Sequence, residues 1–182
     1  MSNDLVIVYE THATSLDNEA GLASGWFDVA LSSKGEQQAR ELGERHQNEA
    51  FAAVFCSDLT RAVHTAQIAF GERGIPIVRE PRLRECDYGK LTRHAATDIE
   101  ARRSRHLTTP FPDGESYQQV VDRTALWLRE VMETFAGRTV LVIGHRATFY
   151  AFEHLLNASM LHDAVTAPWQ WQPGWTYRLP RK

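Results

Sequence analysis

His12, Arg61, Glu85 and His145 are the residues of this sequence whose types suit one piece of chemistry together. A neutral imidazole is a competent nucleophile toward phosphorus. Guanidinium groups hold phosphoryl oxygens bidentately, and helix N-termini add backbone N–H donors. A second imidazole can hydrogen-bond an equatorial oxygen, and a carboxylic acid can protonate the leaving oxygen. Each residue alone has a plainer reading. A histidine at a strand end is more often a hydrogen-bonded structural group. Arg61 alone reads as a solvated helix residue and Glu85 as a surface carboxylate. Joint placement at successive strand ends is what favours a site. A metal site is the rival use of histidines. His12, His64, His94 and His145 lie on separate elements, with no HxH or HExxH pattern, and His154 and His162 are eight apart. A catalytic metal is therefore not expected.

The elements that must position these residues are legible as apolar runs. LVIVYE (5–10), AAVFCS (52–57), IPIVRE (75–80) and TVLVIGH (139–145) read as strands. Short Val- and Ile-rich runs suit parallel strands covered on both faces. Helical patterns lie between them. One spans 32–47, with Ser32 or Ser33 as N-cap; others span 58–72, 116–135 and 147–156. WTYRLP (175–180) reads as a last edge strand. Strands alternating with helices predict an α/β fold with helices on both faces of a mainly parallel sheet. Ligands in such sheets bind outside the carboxyl ends of the strands. That rim receives Thr11–His12, then Ser57 leading to Arg61, then Arg82, Arg84 and Glu85, then His145–Arg146.

Composition narrows the function classes. The chain has 182 residues, 43% hydrophobic and 24% charged, which suits one domain over 1–182. The formal net charge of −3 argues against non-specific nucleic-acid binding. No apolar stretch has the length of a membrane span, and MSNDLVIV has no basic n-region. The two cysteines, Cys56 and Cys86, show no metal-ligand spacing, so a reducing, cytoplasmic setting is expected. Oligomeric state is open, a homodimer included.

Five blocks, in order, resemble the histidine phosphatase superfamily, also called the phosphoglycerate mutase-like family. THATSLDN followed by EAGLASGWFDVALSSKG is similar to R-H-G-E-T-x-x-N and its glycine-rich loop. CSDLTRAVHTA is similar to S-S-D-L-x-R-A-x-Q-T-A. PRLRECDYGKL resembles the block that supplies the proton donor. FPDGESYQQVVDR resembles P-G-G-E-S-x-x-x-x-x-x-R, and VLVIGHRATF the block with the second histidine. The resemblance covers roughly Asp4 to Asn157. It implies a three-layer α/β/α sandwich, a phosphohistidine at His12, and no metal or organic cofactor. It makes Arg61 the phosphate-holding arginine, Glu85 the proton donor and His145 the second histidine. Thr11, Asn18, Ser24, Gly25 and Arg146 fall at substrate-binding positions. Residues 86–115 form an excursion over the pocket.

The resemblance implies a small phosphorylated substrate. A metal-independent phosphatase is favoured because mutases of the glycolytic type are usually longer. A phosphoglycerate mutase is the alternative. Departures from the motif raise a third reading, a weakened phospholigand-binding protein. The motif arginine is Thr11, and the motif's glycine and glutamate are Ala13 and Thr14. The glycines after the second histidine are Arg146 and Ala147. Arg146 is the first candidate to replace the lost guanidinium, and Arg84 the second. The plainer reading pairs Arg146 with a carboxylate such as Glu10. RRSR (102–105), in the segment over the pocket, could meet an anionic substrate, but its mixed-charge surroundings read more simply as a solvated helix face, and Trp169, Trp171 and Trp175 read as packing over the core or an interface.

Overall fold

Strand alternation sorts the core into two faces. A computed structural model describes residues 4–180. Its five strands are β1 (Leu5–Thr11), β2 (Val54–Cys56), β3 (Ile77–Arg79), β4 (Thr139–Gly144) and β5 (Trp175–Leu179), in the order β3-β2-β4-β1-β5. β1 to β4 are mutually parallel where they pair, and β5 runs antiparallel to β1 at the edge. Ile7, Tyr9, Phe55, Val140 and Val142 point to one face, with Trp127, Leu128, Val131 and Phe152 packed on them. Val8, Val54, Cys56, Leu141 and Ile143 point to the other, against Leu42, Ala62, Val63, Ala66 and Phe70. These partners lie on α5 (Tyr117–Thr134) and α6 (Arg146–Leu156) on the first face. On the second they lie on α2 (Ser33–Arg45) and α3 (Thr60–Phe70). The result is the three-layer α/β/α arrangement.

Local signals account for the helix ends. Ser32 caps α2 by accepting from Gly35 N at 3.1 Å. Ser116 caps α5 in a capping box with Gln119. α3 begins at Leu59 without a side-chain cap of its own. Asp28, from the loop before α2, accepts instead from Thr60 N at 2.7 Å and Thr60 Oγ1 at 2.6 Å. A short helix α1 (Leu16–Glu19) follows His12, with Ser15 and Asn18 forming its capping box.

β3 departs from expectation. Its run was read as a strand covered on both faces, yet Val78 is 38% exposed. The strand has β2 as neighbour on one side and is the outermost on the other, so its faces are only partly covered. The excursion carries α4 (Ala96–Arg102) and docks through its own small core. There Tyr88, Ile99 and Phe111 meet Tyr117, Val121, Ala147 and Tyr150, joined by Val165 from α7 (Leu161–Thr166). Among the described residues no helix is long and apolar enough to cross a membrane.

Candidate active site

Thr11 and Gly144 are register partners at the ends of the adjacent strands β1 and β4, so His12 and His145 emerge side by side. Their ring centroids are 4.9 Å apart. The His12 backbone N–H donates to Gly144 O at 3.0 Å, which ties the two strand ends together. Tyr9, buried beneath, donates its hydroxyl to the His145 carbonyl. A side chain at Gly144 would meet that tyrosine ring, with the Tyr9 oxygen 2.7 Å from an added Cβ.

His12 Nδ1 lies 2.7 Å from Ala13 O. A carbonyl only accepts, so Nδ1 carries the proton and Nε2 carries the free lone pair. Burial, reinforced by the Arg61 charge, holds the His12 imidazole down to about 3, so the ring is neutral at pH 7. His145 is likewise held well below the ordinary histidine range, by burial first and then by Arg61 and His12. Its Nε2 is 2.6 Å from Ser57 Oγ, at the end of β2.

Arg61, 2% exposed, comes from the first turn of α3. It donates to Gly25 O at 2.7 Å and Phe27 O at 3.1 Å. These bonds fold the Gly25 loop over the pocket. Gly25 has φ +51°, and an added Cβ would lie 3.1 Å from Tyr88 Cδ2 and 3.3 Å from Cys86 O. A glycine is therefore needed there. Ser24 Oγ donates to the buried Asp17 at 3.1 Å. Asn18 Oδ1 accepts from Ser15 N at 3.0 Å, which leaves its amide N–H₂ as the free donor.

Glu85 follows a short turn after β3 and is fixed at both main chain and side chain. Arg123 donates to the carbonyls of Arg82, Arg84 and Glu85 at 2.6, 2.8 and 2.9 Å, and it pairs with Glu115 at 3.0 Å. Trp26 Nε1 donates to Glu85 O at 2.7 Å. The Glu85 carboxyl accepts from Cys86 N at 2.7 Å and from Ala147 N, in the first turn of α6, at 3.2 Å. Burial raises its pKa against the pull of those N–H groups and Arg61.

All the candidate site residues border one cavity of about 300 Å³: Thr11, His12, Asn18, Ser24, Gly25, Arg61, Glu85, His145 and Arg146. A second cavity of about 350 Å³ adjoins it, and Thr11, His12, Asn18 and Trp171 border both. Arg84 is not at the cavity wall. It is paired with Asp58 at 2.7 and 2.6 Å and stacked on Trp26 at 4.7 Å, so it does not replace the motif arginine. Arg146 pairs with Glu100 at 2.6 Å, not with Glu10, which is held by Arg45 and His46. Arg103 borders the cavity too, and so do Tyr88, Tyr117, Tyr150 and Trp169, four aromatic residues that the sequence does not mark as pocket residues. Arg103 was read as part of a solvated face, but the docking of the excursion turns it inward. Trp169 and Trp175 pack on Phe149, whereas Trp171 is 62% exposed at the cavity mouth. Among the described residues no cluster of three His, Cys, Asp or Glu side chains is arranged to hold a metal ion.

Two histidines held neutral, a buried guanidinium and a buried carboxyl with a raised pKa meet at the carboxyl ends of parallel strands, where α/β proteins bind their ligands. The chain belongs to the histidine phosphatase superfamily (branch 1), whose model matches residues 11–170. It is 34% identical over 142 residues to a probable phosphoglycerate mutase, GpmB, of Enterobacter sp. (strain 638), covering 74% of this chain and 66% of that one. It is 31% identical over 127 residues to an uncharacterized phosphatase, PhoE, of Bacillus subtilis (strain 168), covering 70% and 64%. The chain thus spans about two thirds of the length of these two relatives. The Bacillus stearothermophilus protein YhfR superposes with a TM-score of 0.82 at 25% identity, covering 94% of this chain and 90% of that one.

Proposed function

We propose that this protein is a metal-independent phosphatase that cleaves a small phosphomonoester through a phosphohistidine at His12. The observation that carries the reading is the state of His12: neutral, with Nδ1 bonded to Ala13 O and Nε2 left as nucleophile beside His145. In the proposed reaction Nε2 attacks phosphorus, and the bond to the leaving oxygen breaks. Glu85, whose pKa burial raises, gives its proton to that oxygen. The resulting carboxylate then takes a proton from water as the water cleaves the phosphorus–nitrogen bond. Arg61 and His145 hold the equatorial oxygens, with Asn18 and the Ser24–Gly25 loop completing the cradle. Thr11 borders the phosphoryl site, and Arg146 binds substrate.

A relative named as a probable phosphoglycerate mutase supports a second reading, in which the phosphoryl group returns to a substrate hydroxyl in place of water. Phosphate release from simple phosphomonoesters in chelator tests the first reading. Wild type is expected to turn over and His12→Ala to lose at least about a hundredfold in rate. Turnover that survives His12→Ala would defeat the mechanism. Phosphoryl transfer dependent on a bisphosphate primer would favour the mutase.

A further inference from the structure

The cavity of about 350 Å³ beside the phosphoryl site has a wall of its own. Glu10, Gln38, Glu41, Leu42 and Arg45 border it and do not border the cavity that holds Glu85. Thr11, His12, Asn18 and Trp171 border both, so the second cavity reaches the nucleophile from the α2 side. Its volume is that of a site for a small organic molecule.

The wall favours a cation. Glu10 is 2% exposed, and it accepts from Arg45 Nη2 at 3.2 Å and His46 Nε2 at 2.8 Å. Both bonds fall on Oε1, which leaves Oε2 for the cavity. A charged donor meeting a carboxylate this buried is screened little by water. Glu41 adds a second carboxylate, and Trp171, 62% exposed, adds an aromatic ring at the mouth. Arg45 is the one Lys or Arg among the described residues that border this cavity, and it is already bonded to Glu10. Two formal negative charges against one positive leave the wall with one negative charge in excess, before any phosphoryl group arrives. On the phosphoryl side, Arg61 from α3 bears on both histidines. Thr11, where the motif has arginine, is uncharged and stands between the two cavities.

Building on the phosphoryl-transfer reading, we propose that this second cavity binds a guanidinium-type organic cation, which supplies the positive charge that Thr11 does not. A planar guanidinium can bond a carboxylate on one edge and a phosphoryl oxygen on another, and its face stacks on an aromatic ring. Glu10 and Glu41 hold the cation, Trp171 covers it, and its remaining N–H groups meet the phosphoryl group beside Thr11. The cation is an activator, separate from the alcohol that departs toward Glu85.

The test titrates vanadate, a phosphoryl mimic, in sodium chloride and in methylguanidinium chloride at equal ionic strength, so that general screening is the same. Methylguanidinium is expected to tighten vanadate binding by about tenfold or more, the size of one charge-assisted contact. Vanadate should tighten methylguanidinium by the same factor. The effect should vanish in Glu10→Gln, and in Thr11→Arg, whose own guanidinium takes the place. Trp171→Leu, at an exposed position, should weaken it and keeps the test if Glu10→Gln does not fold. Equal vanadate affinity in both salts, or an effect undiminished in Thr11→Arg, would overturn the proposal. If vanadate binds in neither salt, the phosphoryl-site reading fails on its own. Calorimetry of methylguanidinium alone then reads the cavity: binding lost in Glu10→Gln supports the cation site, and no binding, or binding retained in that variant, refutes it.

Discussion

His12 and His145 stand 4.9 Å apart, centroid to centroid, because Thr11 and Gly144 are register partners on adjacent parallel strands. Burial and Arg61 keep both rings neutral. In the proposed reaction this pairing lets one imidazole attack and the other face the group attacked.

Thr11 should be improvable. It borders both cavities, so a longer side chain has room there. Thr11→Arg is expected to tighten vanadate binding by about tenfold or more, since a hydrogen bond to a charged group contributes roughly 1.5–3 kcal/mol. Equilibrium titration checks this. Unchanged or weaker binding would mean that another cation already serves that side of the phosphoryl group.

In the proposed reaction Glu85 acts in its protonated form, and burial raises its pKa. Activity therefore falls as pH rises through that raised value. Glu85→Gln should lose about 10²–10⁴ in kcat on alkyl esters and much less on p-nitrophenyl phosphate, whose leaving group needs no proton. It should also lose the basic limb of the profile. An equal loss on both substrates would remove Glu85 from the acid role.

Acid stability follows from the same burial. The unfolded chain protonates an imidazole near pH 6.5, whereas folded His12 waits until about 3. The unfolded state thus binds more protons in that window, and stability falls as pH drops, by up to about 1.4 kcal/mol per pH unit for this group. His46, bonded to Glu10 and Glu49, has a raised pKa and the opposite sign. Its stabilisation is full below about 6.5 and is lost as pH rises through the raised value. Below about pH 6 His145, also held low, adds a slope of the same sign, so in urea unfolding His12→Asn should remove only the His12 share of the slope. An unchanged slope would show that His12 protonates freely in the folded state.

Arg123 fixes the main chain under Glu85 through three carbonyl contacts, at Arg82, Arg84 and Glu85. Arg123→Met should cost roughly 2–3 kcal/mol in stability, as expected for charge-assisted bonds at a partly buried site. Because the Glu85 segment is loosened, kcat should drop more than KM changes. Urea titration and steady-state kinetics read both. A stability loss with unaltered kcat would limit Arg123 to a structural role.

The sequence made the frame of this site readable and left much of its wall hidden. The Val- and Ile-rich runs marked β1, β2 and β4, and the rim at their ends held His12, Arg61 and His145. Ser32 as a cap and WTYRLP as an edge strand were equally direct. β3 was overread, because an apolar run does not say how many neighbours its strand has. The far wall gave no periodic signal. Tyr88, Tyr117 and Tyr150 come from three separate segments, and only the docking of α4 brings Arg103 beside them. Arg123 was present in FPDGESYQQVVDR, but its hold on Glu85 depends on α5 packing beneath the turn after β3. The direction of Arg146 was equally a matter of tertiary placement, and Glu100 rather than Glu10 proved to be its carboxylate.

In the proposed reaction phosphorus is passed to His12. Quenching the reaction with an isotopically labelled phosphomonoester and mapping the labelled peptide tests it directly. The peptide containing His12 is expected to carry an alkali-stable, acid-labile phosphoryl group, absent from His12→Ala. Turnover with label on another residue, or turnover undiminished in His12→Ala, would contradict it.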